Sequence, residues 1–172
     1  MGDECCLNRL RGLGIVGLCL VALFLPWPVQ AAERLYYFWS FSIPEQSLKA
    51  AFADGEKIEL VAVLRGLPEG STKASLLRIK QLLGERKVEV VIDPLLFKLY
   101  GIKAVPAVVY AEGVNPSCEH CEPAPRHWKA VGDIPLESAL ENLARSAPSS
   151  ALGGSGGVER YLKKLREGFY SK

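Results

Sequence analysis

The stretch GIKAVPA, residues 101–107, indicates the fold more strongly than any other segment of the chain. A short helix pattern ends at Gly101, and an apolar run that predicts a strand begins directly after Pro106. Because an X–Pro bond costs little to adopt the cis form, this tight turn into a strand is where a cis bond would occur. The alternative is an ordinary trans-proline that enters an edge strand.

Strand and helix patterns alternate on both sides of this stretch. Buried strands are indicated by short apolar runs, and helices by capping residues followed by an apolar stripe. Alternation of this kind predicts an α/β sheet whose first strands are parallel and whose last two form an antiparallel hairpin. The predicted strands cover residues 35–41, 58–64, 88–92, 107–110 and 127–131, and the predicted helices begin near residues 42, 71, 93 and 133. Asp93 should cap the third of these helices.

Two of these helices carry specific expectations. The first should begin with Ser42 or Ile43 near its cap and Pro44 in its first turn. The second should bury an apolar stripe that consists of Leu76, Leu77, Ile79, Leu82 and Leu83.

This order of elements, with the stretch Gly-Ile-x-x-Val-Pro-Ala before the hairpin, resembles that of thioredoxin-like proteins. The resemblance implies a three-layer α/β sandwich with a mixed sheet of about four to five strands and helices on both faces. It also implies a cis-proline loop at Val105 and Pro106, immediately before the antiparallel hairpin. In that superfamily the loop lies beside the start of the redox helix, and its main-chain groups bind an extended partner.

The position where a redox member carries its two thiols is occupied here by Ser40-Phe41-Ser42-Ile43. A redox pair needs cysteines at a helix N-terminus, where the dipole lowers the pKa of the first thiol. Serine hydroxyls cannot form a disulfide, so dithiol chemistry is excluded at this position. No general base is apparent beside either serine, so capping by Ser42 is favoured over a hydrolase. We therefore assign no catalytic residue and no cofactor.

The N-terminus is typical of a secretory signal peptide. Arg9 and Arg11 precede an apolar run over residues 13–25, and small residues follow a helix-breaking proline. A retained membrane anchor is the competing interpretation, but 13 apolar residues are fewer than the roughly 20 that span a bilayer. We expect cleavage after Ala31 or Ala32 and a periplasmic mature protein. The formal net charge of +2 does not require a nucleic-acid partner.

Cys118 and Cys121 are the two cysteines that remain after such cleavage. An even pair in an exported protein is interpreted first as a disulfide. A displaced redox centre is the second interpretation, and a zinc site with His120 and His127 is the third. Because His120 lies between the two cysteines, reaching the same ion would be awkward, and we assign no metal site.

Four segments are informative when they are taken together, namely FWSFSIP (38–44), LRGL (64–67), IDP with Phe97 (92–97) and GIKAVPA (101–107). In this order they resemble the TrbC family, the pilus-assembly proteins of F-type conjugative transfer systems. The resemblance covers about residues 36–131 and implies a non-catalytic periplasmic protein that helps to build the conjugative pilus of a type IV secretion apparatus. It also implies association with other assembly proteins, above all one of the TraW type. The alternative function is an exported thiol–disulfide oxidoreductase or isomerase that uses the two cysteines.

The sequence divides into a signal peptide (1–32), a thioredoxin-like domain (33–146), a Gly/Ser-rich flexible linker (147–157) and an amphipathic helix (158–172). A helix this short is marginal alone, so its stripe, which includes Tyr161, Leu165 and Phe169, should dock. Its own domain, another assembly protein and a membrane surface are the three alternatives, of which the aromatic residues favour a protein.

Arg65 is the remaining candidate interaction residue. It follows a buried strand at the carboxyl end, where α/β sheets often place functional groups. The alternative is a solvated arginine, or one that neutralises Asp93.

Overall fold

The computed structural model describes residues 32–68, 72–115, 117–118, 120–147 and 157–170. Within these ranges the strands are β1 (Ala32–Trp39), β2 (Val61–Leu64), β3 (Glu89–Ile92), β4 (Ala107–Val114) and β5 (Arg126–Val131). The helices are α1 (Glu45–Lys57), α2 (Thr72–Leu83), α3 (Pro94–Leu99), α4 (Leu136–Ser146) and α5 (Gly157–Tyr170). The predicted signal peptide up to residue 31, its cleavage after Ala31, and most of the predicted linker lie outside the described residues. Ala32 is the first residue of β1.

The five strands form one mixed sheet in the order β3-β2-β1-β4-β5. β1 and β2 are parallel, as are β2 and β3, whereas β4 runs antiparallel to both β1 and β5. Phe38 of β1 pairs with Val63 on one side and with Ala107 on the other. The thioredoxin-like α/β sandwich with a closing antiparallel hairpin, predicted from the sequence, is confirmed.

The core lies on both faces of the sheet because β1 is buried on both. Its side chains alternate, so that Tyr36 and Phe38 pack under α3, while Tyr37 and Trp39 pack under α1, α2, α4 and α5. All four of these aromatic side chains are buried, as predicted. The sheet therefore has helices on both of its faces.

Two strand boundaries differ from the predicted ones. β1 begins earlier, at Ala32, and β4 continues to Val114, beyond the predicted end at Tyr110. Both extensions have the same cause, since Ala32 pairs with Val114 across the sheet. The two strands are longer than predicted because they pair with each other, and the propensity of each segment alone does not predict such pairing.

The predicted apolar stripe of α2 is wrong at Leu76 and Leu77, in the second turn of the helix. Ile79 and Leu82 are buried in the core and Leu83 is half-buried, but Leu76 and Leu77 are 50% and 53% exposed. The helix therefore presents a narrower face to the core than its apolar residues suggested.

The C-terminal helix α5 packs on its own domain, against α4 and α1. Of the three docking alternatives, the structure shows the one in which the helix packs on its own domain. Leu165 is fully buried and Tyr161 is half-buried, while the side chain of Phe169 lies outside the described residues.

The different burial of two residues on α2 gives a stability test. We expect Ile79→Ala to lower the free energy of unfolding by about 2–5 kcal/mol, because it opens a cavity in the core. Leu76→Ala, on the same helix, should change it by about 0.5 kcal/mol or less, because half of that side chain is already in water. Urea unfolding followed by tryptophan fluorescence measures both values. Equal losses for the two variants would contradict the assigned faces of α2.

Candidate functional site

A groove of about 520 Å³ opens at the edge of the sheet where β1 and β2 end and β4 begins. Parallel strands end at the same edge, and the antiparallel β4 starts there, so three segments far apart in sequence meet. Three of the predicted site segments, Ser40–Ser42, Arg65 and Val105, line this one groove. Its walls consist of Trp39, Ser40, Phe41, Ser42, Leu64, Arg65, Gly66, Leu67, Pro68, Phe97, Ile102, Lys103 and Val105.

The two serines at the former redox position bond to each other. The Oγ atoms of Ser40 and Ser42 lie 2.6 Å apart, and the Ile43 N–H donates to the Ser40 carbonyl at 3.3 Å. The expectation that Ser42 caps the following helix is wrong. α1 has Pro44 at its N-cap with no side-chain cap bond, because Ser42 lies two residues too early to reach the free N–H groups.

No general base activates these hydroxyls in the described part of the chain. A nucleophilic serine needs an adjacent base to accept its proton. Among the described residues the two hydroxyls bond to each other, and that of Ser40 also accepts from the Ser42 N–H. Among the described residues that line the groove there is no thiol, and neither serine contacts a base.

The aromatic side of the groove carries an unused hydrogen-bond donor. Trp39 is fully buried and lies edge-on to Phe41, with ring centroids 5.3 Å apart. The guanidinium of Arg78 lies 5.3 Å from the Phe41 ring centre. The Nε1 donor of Trp39 has no acceptor among the described residues. A buried tryptophan N–H usually finds a partner, but this donor is itself buried and is not exposed to a ligand in the groove.

Two exposed cations lie on the groove. Arg65 follows β2, and Lys103 lies in the loop before β4. In the described residues no carboxylate lies within ion-pair distance of either. The alternative in which Arg65 neutralises Asp93 is therefore wrong, because Asp93 pairs with His120 instead. The described part of the groove is therefore cationic, without a paired carboxylate.

The sequence did not single out Lys103, although it lies inside the stretch that indicated the fold. Lys103 lies two residues before Val105 in the sequence, but a single lysine in a loop does not by itself indicate a binding site. Lys103 and Arg65 line the same groove only because the end of β2 lies next to the loop before β4 in the folded chain. The Val105–Pro106 peptide is cis in the structure.

Cys118 and Cys121 form a disulfide in the loop between β4 and β5, with their Cα atoms 5.4 Å apart. Neither residue lines the groove. The described residues contain no cluster of three metal-ligating side chains. His127 Nδ1 bonds to the carbonyl of Pro125 at 2.9 Å, so this histidine is engaged elsewhere.

Asp93 ties the disulfide loop to the start of α3. One carboxylate oxygen accepts from the N–H groups of Leu95 and Leu96, as the sequence predicted for a cap, and the other lies 2.5 Å from Nε2 of His120. Partial burial opposes the charged form, but the bonds from His120, Leu96 and Leu95 together lower the pKa of the carboxyl. The ionised carboxylate of Asp93 therefore caps the N-terminus of α3 and also pairs with His120 of the disulfide loop.

A model of the TrbC family, described as the type-F conjugative transfer system pilin assembly protein, matches residues 37–143. The match covers well over half of the chain, including all three segments of the groove. The chain belongs to this TrbC family. The family predicted from the four sequence segments is confirmed.

Among curated proteins, the periplasmic protein TrbC of Escherichia coli (strain K12) is 39% identical over 74 residues. This match covers 42% of the chain, which spans about a third (35%) of the length of that relative. The periplasmic localisation predicted for this TrbC-family chain is confirmed. No helix in the described ranges is long and apolar enough to cross a bilayer.

Among solved structures, that of MTB DsbF in its mixed oxidized and reduced forms aligns with a TM-score of 0.42 and 10% identity. The alignment covers 81% of this TrbC-family chain and 82% of the other.

The double role of Asp93 gives a pH test. Asp93→Ala should lower the free energy of unfolding at pH 7 by about 1 kcal/mol or more, because the cap of α3 is lost. Asp93→Asn keeps a capping side chain and should cost less. Because the folded-state pKa is lowered, the carboxylate stabilises the fold above about pH 4, and this contribution is lost as the pH falls further.

Urea unfolding of the wild type and both variants at pH 5 and pH 3 measures this contribution. The wild type should lose more stability between these two pH values than Asp93→Asn does. An equal loss in the two proteins would show that the charge of Asp93 does not stabilise the folded state.

Proposed function

We propose that this periplasmic TrbC-family protein is a non-catalytic assembly factor whose groove binds an extended segment of another pilus-assembly protein, of the TraW type. The observation that carries the proposal is the convergence of Ser40–Ser42, Arg65, Lys103 and Val105 on one groove without thiols. Thioredoxin-like proteins bind extended partners at this place. Loss of the thiols removes the chemistry and leaves the binding surface.

The charge of the groove supports an acidic residue in the bound segment. Arg65 and Lys103 are exposed and have no carboxylate partner in the described structure, so they would pair with a carboxylate from outside. The same groove is also lined by the apolar side chains of Leu64, Phe97 and Ile102. A short extended segment with an acidic side chain next to an apolar one matches both features.

Charge reversal in the groove tests this function. We expect Arg65→Glu and Lys103→Glu each to reduce co-purification of the TraW-type protein, and plasmid transfer from donor cells, by about ten-fold or more, because a like charge would face the partner's carboxylate. Lys163→Glu is the matched control, since it makes the same charge change at an exposed position on α5. Immunoblots of the periplasmic fraction must show equal levels of all variants. Wild-type transfer by both groove variants would contradict the proposed role of the groove.

The alternative enzyme is tested through the disulfide. Cys121 is exposed, so a thiol–disulfide oxidoreductase that uses this pair is the second candidate. We expect Cys118→Ser with Cys121→Ser to retain conjugative transfer within about three-fold of wild type, because a disulfide across so short a loop stabilises little. The purified wild-type protein should not catalyse insulin reduction by dithiothreitol. Catalysed insulin reduction, lost in the double variant, would establish the enzyme instead.

A further inference from the structure

The C-terminal helix α5 packs on a surface of its own domain that is separate from the groove. Val158, Leu162 and Leu165 are its buried apolar side chains in the described part of the helix. The half-buried Tyr161 lies 6.2 Å from Tyr110 of β4, measured between ring centroids. This apolar face packs against α4 and α1.

Carboxylates from three separate elements surround this apolar floor. Glu33 lies on β1, Glu59 follows α1, and Glu137 and Glu141 lie on α4. We call these four glutamates, with the apolar residues between them, the acidic channel. No element of the chain other than α5 provides the cations that pair with them in the described structure.

Three cations of α5 pair with the four glutamates of the acidic channel. Lys164 bonds to Glu59 at 2.6 Å. Arg166 reaches Glu137 at 2.7 Å and Glu141 at 2.6 Å. Arg160 pairs with Glu33. The channel therefore selects a basic amphipathic helix by charge as well as by its apolar face.

The first residue of α5 adds a steric condition. A Cβ atom on Gly157 would lie 1.7 Å from the hydroxyl oxygen of Tyr110 and 2.6 Å from its ring. Only a helix that begins with glycine at this point can approach so closely. The fit is thus specific to the sequence of α5.

The length and composition of the segment that joins α4 to α5 affect whether the helix docks on its own chain or on a second copy. Residues 148–156, PSSALGGSG, contain three serines and three glycines. Nine residues reach at most about 30 Å, and short Gly/Ser-rich linkers give effective concentrations in the millimolar range. The chain's own α5 is therefore favoured at low concentration, and a second copy competes for the channel only where copies are held together at a comparable local concentration.

We propose that the acidic channel of one chain accepts α5 from a second copy, so that two copies dimerise by exchanging their C-terminal helices. All the contacts made within one chain are available between two identical chains, and only the path of the linker differs. The structure shows one helix that fits this channel in charge, apolar face and glycine, and a second copy carries the same helix.

Complementary charge variants test the exchange. One full-length chain carries Arg166→Glu, which places a carboxylate against Glu137 and Glu141. The other carries Glu137→Arg with Glu141→Arg, which repel the native Arg166. Each variant disfavours docking of its own α5, whereas an equimolar mixture restores opposite charges at both channels. We expect each alone to sediment as a monomer, and the mixture to dimerise at a concentration at least ten-fold lower than the wild type requires.

Three controls make the outcome decisive. A chain with all three substitutions should dock its own helix and remain folded and monomeric, which shows that the changes are tolerated. Lys163→Glu in place of Arg166→Glu should not give a mixed dimer, because Lys163 does not face the channel. Gly157→Ala added to both chains should abolish the mixed dimer through its clash with Tyr110.

The exchange is overturned if the mixture remains monomeric while the triple-substituted chain is folded. If the separate variants do not fold when expressed alone, co-expression replaces mixing, and the same mixed dimer is required. The wild type gives an independent readout. Its dimer fraction should rise with concentration and fall at high salt, and a strictly monomeric wild type at millimolar concentration would also overturn the proposal.

Discussion

The structure depends on one constraint, the burial of β1 on both of its faces. Tyr36, Tyr37, Phe38 and Trp39 are all buried, and their alternation sends them to opposite sides of the sheet. A strand of this kind cannot lie at an edge or face water. It therefore requires neighbouring strands on both sides and helices above and below, which is the arrangement of β2, β4 and the five described helices.

The central place of β1 also determines where the groove forms. Because β2 runs parallel to β1 and β4 runs antiparallel, the ends of the first two strands and the start of the third lie at one edge. In this chain that edge carries Ser40 and Ser42, where a redox pair would require two cysteines.

The two surfaces of interest have opposite charge, although the whole chain carries only +2. The groove presents Arg65 and Lys103, whereas the acidic channel presents four glutamates that α5 neutralises. Surfaces of opposite sign discriminate between partners, since a segment that fits one is repelled by the other. The small net charge of the chain therefore gives no indication that positive and negative side chains lie on different surfaces, which only the fold shows.

The sequence by itself determined the element order, the cap at Asp93, the absence of thiols at residues 40–43 and the family, because these follow from local spacing and residue type. Only the tertiary structure decided that Leu76 is exposed, that Lys103 joins Arg65, and that α5 docks on its own domain. The physical reason is that a pattern shows which residues are apolar or charged along one segment. Which surface of another segment meets them depends on the packing of the whole chain.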